Sequence, residues 1–307
     1  MQKIIQLMSM KTIMFILFAL FAISLMIFYF IPFNTINFGI KSGNYNFSVI
    51  EGNKSMQFYP NMRFPSSEIS YQISDCPLQK ENDMEYAFNI VENITPLSFY
   101  PVNNNEDISV TCQEKNIVHD GLFTAGEGGP TNVTVAGEFN VITHGDILLI
   151  RESSCPKPNV AIHELFHVLG FGHSTNSENI MYNISKCDQT IGQDMIQLIN
   201  NLYSIQSKPD LIFEDVSAKM SGRFLNINTT VTNAGLSDAG QSTVTIYADG
   251  NVVKEIDLEP LAIGHGRIIT MENIFITQIS VKELELVINN NFGELSKDNN
   301  KIKLEIK

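Results

Sequence analysis

Three histidines, a glutamate and a glycine lie close together in this chain, at spacings that suit a metal site. His163 and His167 are four residues apart, so on a helix both face one side and can bind one ion. Glu164 is not needed as a ligand and is free to take a proton from a water molecule. Gly170 lets the chain leave the helix and return with His173 as a third ligand. Three protein ligands leave one zinc position open, which is typical of a catalytic site.

The residues that follow this motif form a second recognisable pattern. Ser174 follows the third histidine directly, and Met181, itself followed by a tyrosine, comes shortly afterwards. In this form the segment resembles the metzincin zinc endopeptidases, and in particular their matrixin branch, in which a methionine turn lies beneath the zinc. Asn183 stands where matrixins usually have a proline, so the exit of the turn is expected to differ. The resemblance implies one catalytic Zn²⁺, with Glu164 as the general base and Met181 in the methionine turn.

The partners expected from this resemblance are protein or peptide substrates. Residues 60–207 hold eighteen Asp and Glu against six Lys and Arg, and this acidic balance argues against nucleic acid as a partner. The family resemblance is the only reason to expect bound calcium, because the chain contains no EF-hand loop. The alternative function is an inactive metzincin-like protein for surface adhesion or binding. All five positions of the motif are intact, which favours the enzyme.

The N-terminus predicts a membrane anchor. Thr12–Ile31 is uncharged, almost wholly apolar and long enough to span a bilayer as a helix. Lys3 and Lys11 precede it, so the N-terminus is expected in the cytoplasm and the catalytic part outside. A cleaved signal peptide is the other interpretation, although its apolar stretch is usually shorter and ends in small residues. We therefore assign residues 1–32 to a single-pass signal anchor.

The four cysteines agree with an extracellular location, where an even count favours two disulfides. Four cysteines allow three pairings, and the sequence alone does not choose among them. Cys155 and Cys187 bracket the zinc motif and the methionine turn. We therefore favour Cys155–Cys187 with Cys76–Cys112.

Residues 60–207 have an α/β pattern that is similar to the metzincin fold. Residues 33–59 before them are rich in Asn, Ser and Gly and are predicted to be an irregular stalk. The glycine-rich residues 125–130 are predicted to be a flexible loop. Asn132–Thr143 is predicted to be one strand, and it is our candidate for the edge strand that pairs with extended substrates in that fold. The other predicted elements are strands at Glu68–Ser74, Asp107–Cys112 and Asp146–Glu152, and helices at Glu81–Asn93, Pro158–Gly170 and Thr190–Ser204.

Residues 208–307 are predicted to be an all-β sandwich, because short β-branched runs alternate with Gly and Asn turns. Asp249-Gly250 is a strong hairpin signal between two of the runs. The segments beginning at Pro209, Val231, Tyr247 and Asp298 resemble the CARDB family of immunoglobulin-like modules. This part contains no catalytic cluster, so we expect a spacer or a module that binds a surface protein or carbohydrate. The predicted strands are Phe224–Thr232, Ser242–Ala248, Val252–Leu258, Arg267–Phe275, Lys282–Ile288 and Lys301–Ile306.

Overall fold

The N-terminal region contributes one helical segment and one strand. The computed structural model describes residues 14–23, 35–40, 56–114, 118–119, 122–152, 155–278 and 280–306. Residues 14–23 form helix α1, and the remainder of the predicted span Thr12–Ile31 lies outside the described residues. Among the described residues, no helix is long and apolar enough to cross a membrane. Thr35–Ile40 form strand β1.

The predicted zinc peptidase part is a mixed sheet with helices. The neighbours in the sheet run β2-β9-β5-β3-β4, all parallel, and β8 pairs antiparallel with β9. The short strands β6 and β7 form a separate antiparallel pair. The strands are β2 (Met62–Arg63), β3 (Glu68–Ser74), β4 (Ser98–Pro101), β5 (Ile108–Cys112), β6 (Val118–His119), β7 (Leu122–Phe123), β8 (Gly126–Ala136) and β9 (Phe139–Leu149), and the helices are α2 (Leu78–Glu92), α3 (Asn159–Val168) and α4 (Gln193–Tyr203).

Apolar burial fixes these helices against the sheet. All residues of α3 are buried, which is why its sequence is apolar on almost every side. In α4 the buried residues are Met195, Leu198, Ile199 and Leu202, at the three- and four-residue spacing of one helix face. Both helices contribute to one core with the strands β3, β5 and β9. The helix that carries the histidines is therefore held on a rigid support.

The hairpin of β8 and β9 corrects two predictions. Residues 125–130, predicted to be a flexible loop, are mostly the first half of β8. Asn132–Thr143, predicted to be one strand, spans the end of β8, a turn at Gly137-Glu138 and the start of β9. Gly137 has a φ of 55°, a conformation that glycine adopts without strain and that closes the hairpin. The edge strand is β8, since among the described strands only β9 pairs with it.

In its described residues the C-terminal part contains strands and no helix. They form two groups that pack over one apolar core, β13-β12-β15-β16 and β10-β11-β14, and β1 lies between β16 and β10. In β11, buried residues alternate with more exposed ones, the two-residue period of a strand with one face in the core. The strands are β10 (Leu211–Ser221), β11 (Phe224–Asn233), β12 (Ser242–Ala248), β13 (Asn251–Leu258), β14 (Gly266–Phe275), β15 (Glu283–Asn289) and β16 (Lys301–Ile306).

Two strands of this sheet differ from the sequence prediction. β10 is absent from the predicted runs because its charged residues Glu214, Asp215 and Lys219 obscure the apolar alternation. β1 lies in residues 33–59, which are predicted to be an irregular stalk. Its partners are β10 and β16, both far away in the chain, so no local pattern identifies it as a strand.

A small apolar cluster joins the two parts. Ala136, Phe139 and Val141 from the β8–β9 hairpin pack with Leu236 of the C-terminal part, and all four are buried. A Cβ on Gly264, next to β14, would lie 2.3 Å from Thr134 Cγ2 and 2.5 Å from the Val135 carbonyl oxygen. The tip of the hairpin is therefore in close contact with loops of the C-terminal part.

Candidate metal centre

The three predicted histidine ligands converge on one point. His163 and His167 lie on α3, one turn apart, and His173 follows the turn after the helix. The Nε2 atom of His167 lies 3.0 Å from that of His163 and 3.2 Å from that of His173. Two nitrogen ligands of one tetrahedral zinc, each about 2.0–2.1 Å from the ion, are about 3.3 Å apart. The three side chains therefore fit a zinc ion.

Backbone carbonyls orient the two helical histidines. The Nδ1 of His163 lies 2.7 Å from the carbonyl oxygen of Ile180, and the Nδ1 of His167 lies 2.8 Å from that of Phe171. A carbonyl oxygen only accepts, so each Nδ1 carries the proton and donates it. Each Nε2 then has a free lone pair and can bind metal. These contacts fix both the tautomer and the direction of the rings.

Gly170 produces the turn that supplies one of these carbonyls. Its φ is 94°, and a Cβ there would lie 2.8–3.0 Å from the Met62 side chain. The turn is closed by bonds from Gly170 N to His167 O and from Phe171 N to Phe166 O. The glycine is therefore required by both the backbone conformation and the space available.

The predicted methionine turn contacts both ends of the motif. Ile180 receives the His163 hydrogen bond, and the Met181 carbonyl accepts a 2.8 Å bond from the backbone N–H of Ser174, next to the third ligand. The Met181 side chain is buried. The backbone N–H of Met181 donates to the side chain of Asn179, which holds the turn in shape. The turn thus fixes the positions of the first and third histidines.

Burial shifts the pKa values of three titratable side chains in the site. Burial, with a smaller contribution from His163, lowers the pKa of His167 to about 4, and burial also lowers the pKa of His163. Both rings are therefore neutral at pH 7, as metal ligands must be. Burial raises the pKa of Glu164 to about 8, and the nearby charge of Glu127 adds to this. At this pKa the carboxyl group is mostly protonated at pH 7 without a metal, whereas a cation held by the three histidines would favour the carboxylate, which can accept a proton.

Glycines of β8 allow this strand to lie close to α3, the helix that carries the histidines. A Cβ on Gly126 would lie 2.8 Å from Glu164 Cγ, and one on Gly128 would lie 2.5 Å from the Glu164 carbonyl oxygen. Gly145 of β9 is similarly close to Val168. Gly126 and Gly128 therefore allow β8 to pack closely against the side chain and the backbone of Glu164. This packing brings β8, whose only strand partner in the described part of the chain is β9, beside Glu164.

A short segment upstream of β2 lies over the second histidine. Phe58 N donates to Gly170 O and Gly172 N donates to Met56 O, each at 2.9 Å. The Phe58 ring stacks on His167 with 5.8 Å between the ring centroids and 18° between the planes. Its side chain is still 47 % exposed, so it forms an apolar wall beside the ligands.

Both favoured disulfides are present in the structure. Cys76 is bonded to Cys112, and Cys155 is bonded to Cys187, at sequence separations of 36 and 32. The second pair closes a loop that contains α3 and the turn at Met181. Cross-linking a loop of this length stabilises a fold by about 3–4 kcal/mol in the chain-entropy model. The disulfide therefore ties the ends of the segment that carries all three histidines.

The sequence-predicted residues and the observed site agree in part. The structure brings His163, His167 and His173 together, places Glu164 beside the edge strand and buries Met181. Sequence reasoning missed the carbonyls that orient the imidazoles, and it missed Phe58. Every residue type has the same backbone carbonyl, so the sequence does not show which carbonyls orient the imidazoles. Phe58 lies outside the motif. The glycines of β8 did carry a signal, since a glycine within a strand often marks a close backbone approach.

Comparison with known proteins agrees with this geometry. Residues 63–204 match the Matrixin family, and residues 208–303 match the CARDB family. Interstitial collagenase from Oryctolagus cuniculus is 26 % identical over 164 residues, which are 48 % of this chain and 34 % of the collagenase. The match thus spans about a third of the length of that relative.

One solved structure is similar to about a third of this chain. It is the CARDB domain of a Pyrococcus furiosus protein, determined in complex with di-metal ions. It is 17 % identical with a TM-score of 0.28, and the match covers 32 % of this chain and 88 % of that one. The two family matches thus divide the chain into a part similar to matrixins, residues 63–204, which holds the three converging histidines, and a part similar to CARDB domains, residues 208–303.

Proposed function

We propose that this chain is a zinc-dependent endopeptidase with a single catalytic ion. The observation that carries the proposal is the convergence of three Nε2 atoms beside a buried glutamate and an unpaired strand edge. When bound, zinc polarises water and the scissile carbonyl. His163, His167 and His173 would hold it, and their burial and carbonyl contacts keep the first two neutral and aligned.

The residues of the chain have distinct roles in the proposed cleavage. Glu164 takes the proton of the attacking water and passes it to the leaving amine. An extended peptide pairs with the free edge of β8, which positions its scissile bond beside Glu164. Met181 contributes to the floor of the site through its buried side chain and does not contact substrate. The acidic surface of this part favours substrates that carry basic residues.

The proposed location is the outer face of the cell membrane, with the N-terminus in the cytoplasm. The uncharged run Thr12–Ile31 with Lys3 and Lys11 before it supports this orientation. Two disulfides support an oxidising compartment. In the same proposal the CARDB part is a spacer or a module for a surface protein or carbohydrate.

The glutamate tests the mechanism. We expect Glu164→Gln to keep zinc and the fold but to lose peptide cleavage by at least about 100-fold, because amide nitrogen cannot accept the proton. Cleavage of a denatured protein substrate is measured with and without a chelator, and bound zinc is measured in parallel. The matched control is Glu138→Gln, an exposed carboxylate in the β8–β9 turn, which should leave cleavage unchanged.

Two results contradict the proposal. Undiminished cleavage by Glu164→Gln removes the general base from the mechanism. If the unmodified chain binds zinc but cleaves no substrate in a chelator-sensitive way, the inactive adhesion or binding protein becomes the better description.

A further inference from the structure

The strand β1 fills a gap between two edges of the C-terminal part. Without it, β16 ends one group of strands and β10 ends the other. Both would then present unpaired backbone N–H and C=O groups, which readily bind a further strand. Residues 35–40 occupy this position, although they lie far upstream of the CARDB match at residues 208–303.

The register shows that β1 serves both edges. Thr35 to Phe38 pair with Ser221 to Ala218 of β10, and Phe38 to Ile40 pair with Ile306 to Leu304 of β16. Both pairings are antiparallel, and Phe38 takes part in each. The strand therefore crosses from one group to the other and closes one side of the sandwich.

The order of the elements gives this strand an unusual position in the chain. The polypeptide enters the C-terminal sheet as β1, leaves it to build the whole matrixin part, and returns to the sheet as β10. The covalent connection between β1 and the rest of the folded protein is the stretch of residues 41–55. A break in that stretch would sever no residue that pairs with β10 or β16.

We propose that residues 35–40 act as a non-covalent clasp that keeps the N-terminal region bound to the protein after the chain is cut between Ile40 and Met56. The partner that the paired edges of β10 and β16 accept is thus an extended strand of this same chain. Cleavage upstream of the matrixin part would not release it from whatever holds the N-terminus. This inference is independent of the peptidase activity.

A cleavable full-length chain tests the clasp. A recognition sequence for a specific protease, flanked by Gly-Ser linkers, is inserted between residues 47 and 48, and an affinity tag is placed on the N-terminus. The protein is purified in detergent, cut to completion and bound to tag resin under native conditions. We expect the large fragment to remain on the resin with the tagged N-terminal fragment.

The matched variants are Asn37→Pro and Asn37→Ala, both in the centre of β1. Proline removes a backbone N–H and disfavours pairing on both sides of a strand, whereas alanine keeps the backbone intact. We expect the cut Asn37→Pro protein to lose the large fragment to the flow-through and the cut Asn37→Ala protein to retain it. Loss of the large fragment from the cut unmodified protein overturns the clasp. Equal retention by the proline variant also overturns it, since something other than the strand would then hold the pieces.

Discussion

At the scale of single residues, the site depends on a small set of contacts around three imidazoles. The carbonyls of Ile180 and Phe171 accept from the Nδ1 atoms of His163 and His167 and leave Nε2 free on each ring. Phe58 adds a stacked ring on the outer side of His167. Such contacts around metal ligands contribute to metal affinity as well as to geometry.

Phe58 gives a test at this scale. Stacked aromatic pairs contribute about 0.5–1.5 kcal/mol beyond the area they bury. We expect Phe58→Ala to release zinc to a chelator roughly 2–10-fold faster, because His167 loses its packing partner. Tyr59→Ala is the control, since that neighbouring side chain is 58 % exposed and should have little effect. Equal zinc release from all three proteins would show that the stacking does not support the ligand.

At the scale of elements, strand β8 and helix α3 together form the surroundings of Glu164. The helix supplies two ligands and Glu164, and the strand supplies an unpaired edge. Their approach is limited by Gly126 and Gly128, where any side chain would meet Glu164. Two glycines in one short stretch thus set the distance between β8 and Glu164.

Adjacent glycines of β8 provide a matched pair of substitutions. A Cβ on Gly128 would lie 2.5 Å from the Glu164 carbonyl oxygen, whereas a Cβ on Gly129 has no atom within 4 Å. We expect Gly128→Ala to destabilise the matrixin part by about 1–3 kcal/mol, because backbone must move to relieve the overlap. This corresponds to a melting temperature lower by several degrees, with a loss of cleavage. Gly129→Ala should change neither quantity. Equal melting temperatures for the two variants would contradict this packing.

At the scale of the whole molecule, the two parts are connected in more than one way. The matrixin part is inserted between β1 and β10 of the C-terminal sheet. The β8–β9 hairpin also extends from Glu164 at one end to the CARDB loops at the other, through Phe139 and Leu236. The C-terminal part therefore supports the hairpin that approaches Glu164.

Phe139 tests this support. Its side chain is 1 % exposed and packs between the two parts. Replacing a buried Phe by Ala lowers the free energy of unfolding by about 3–5 kcal/mol. We expect Phe139→Ala to lower the melting temperature and to separate the calorimetric unfolding into two transitions, one for each part. Phe275→Ala is the control, because that ring is 48 % exposed on β14. A single unshifted transition in Phe139→Ala would show that the cluster does not couple the parts.

The sequence alone was sufficient for the local features of this protein. The spacing of His163, His167 and His173 follows from helix geometry, and Gly170 stands where the backbone needs a positive φ. The alternation in the C-terminal part predicted most of its strands. Each of these features depends on residues that are close together in the chain, so a local sequence pattern is enough to predict it.

Only the tertiary structure decided which distant segments meet. Residues 126–130 are a strand because they pair with β9, and residues 35–40 are a strand because β10 and β16 leave two edges to fill. The orientation of His163 likewise depends on the Ile180 carbonyl, a backbone group that every residue type provides. Strand formation depends on the partner as much as on the strand itself, and that partner lies far away in the chain.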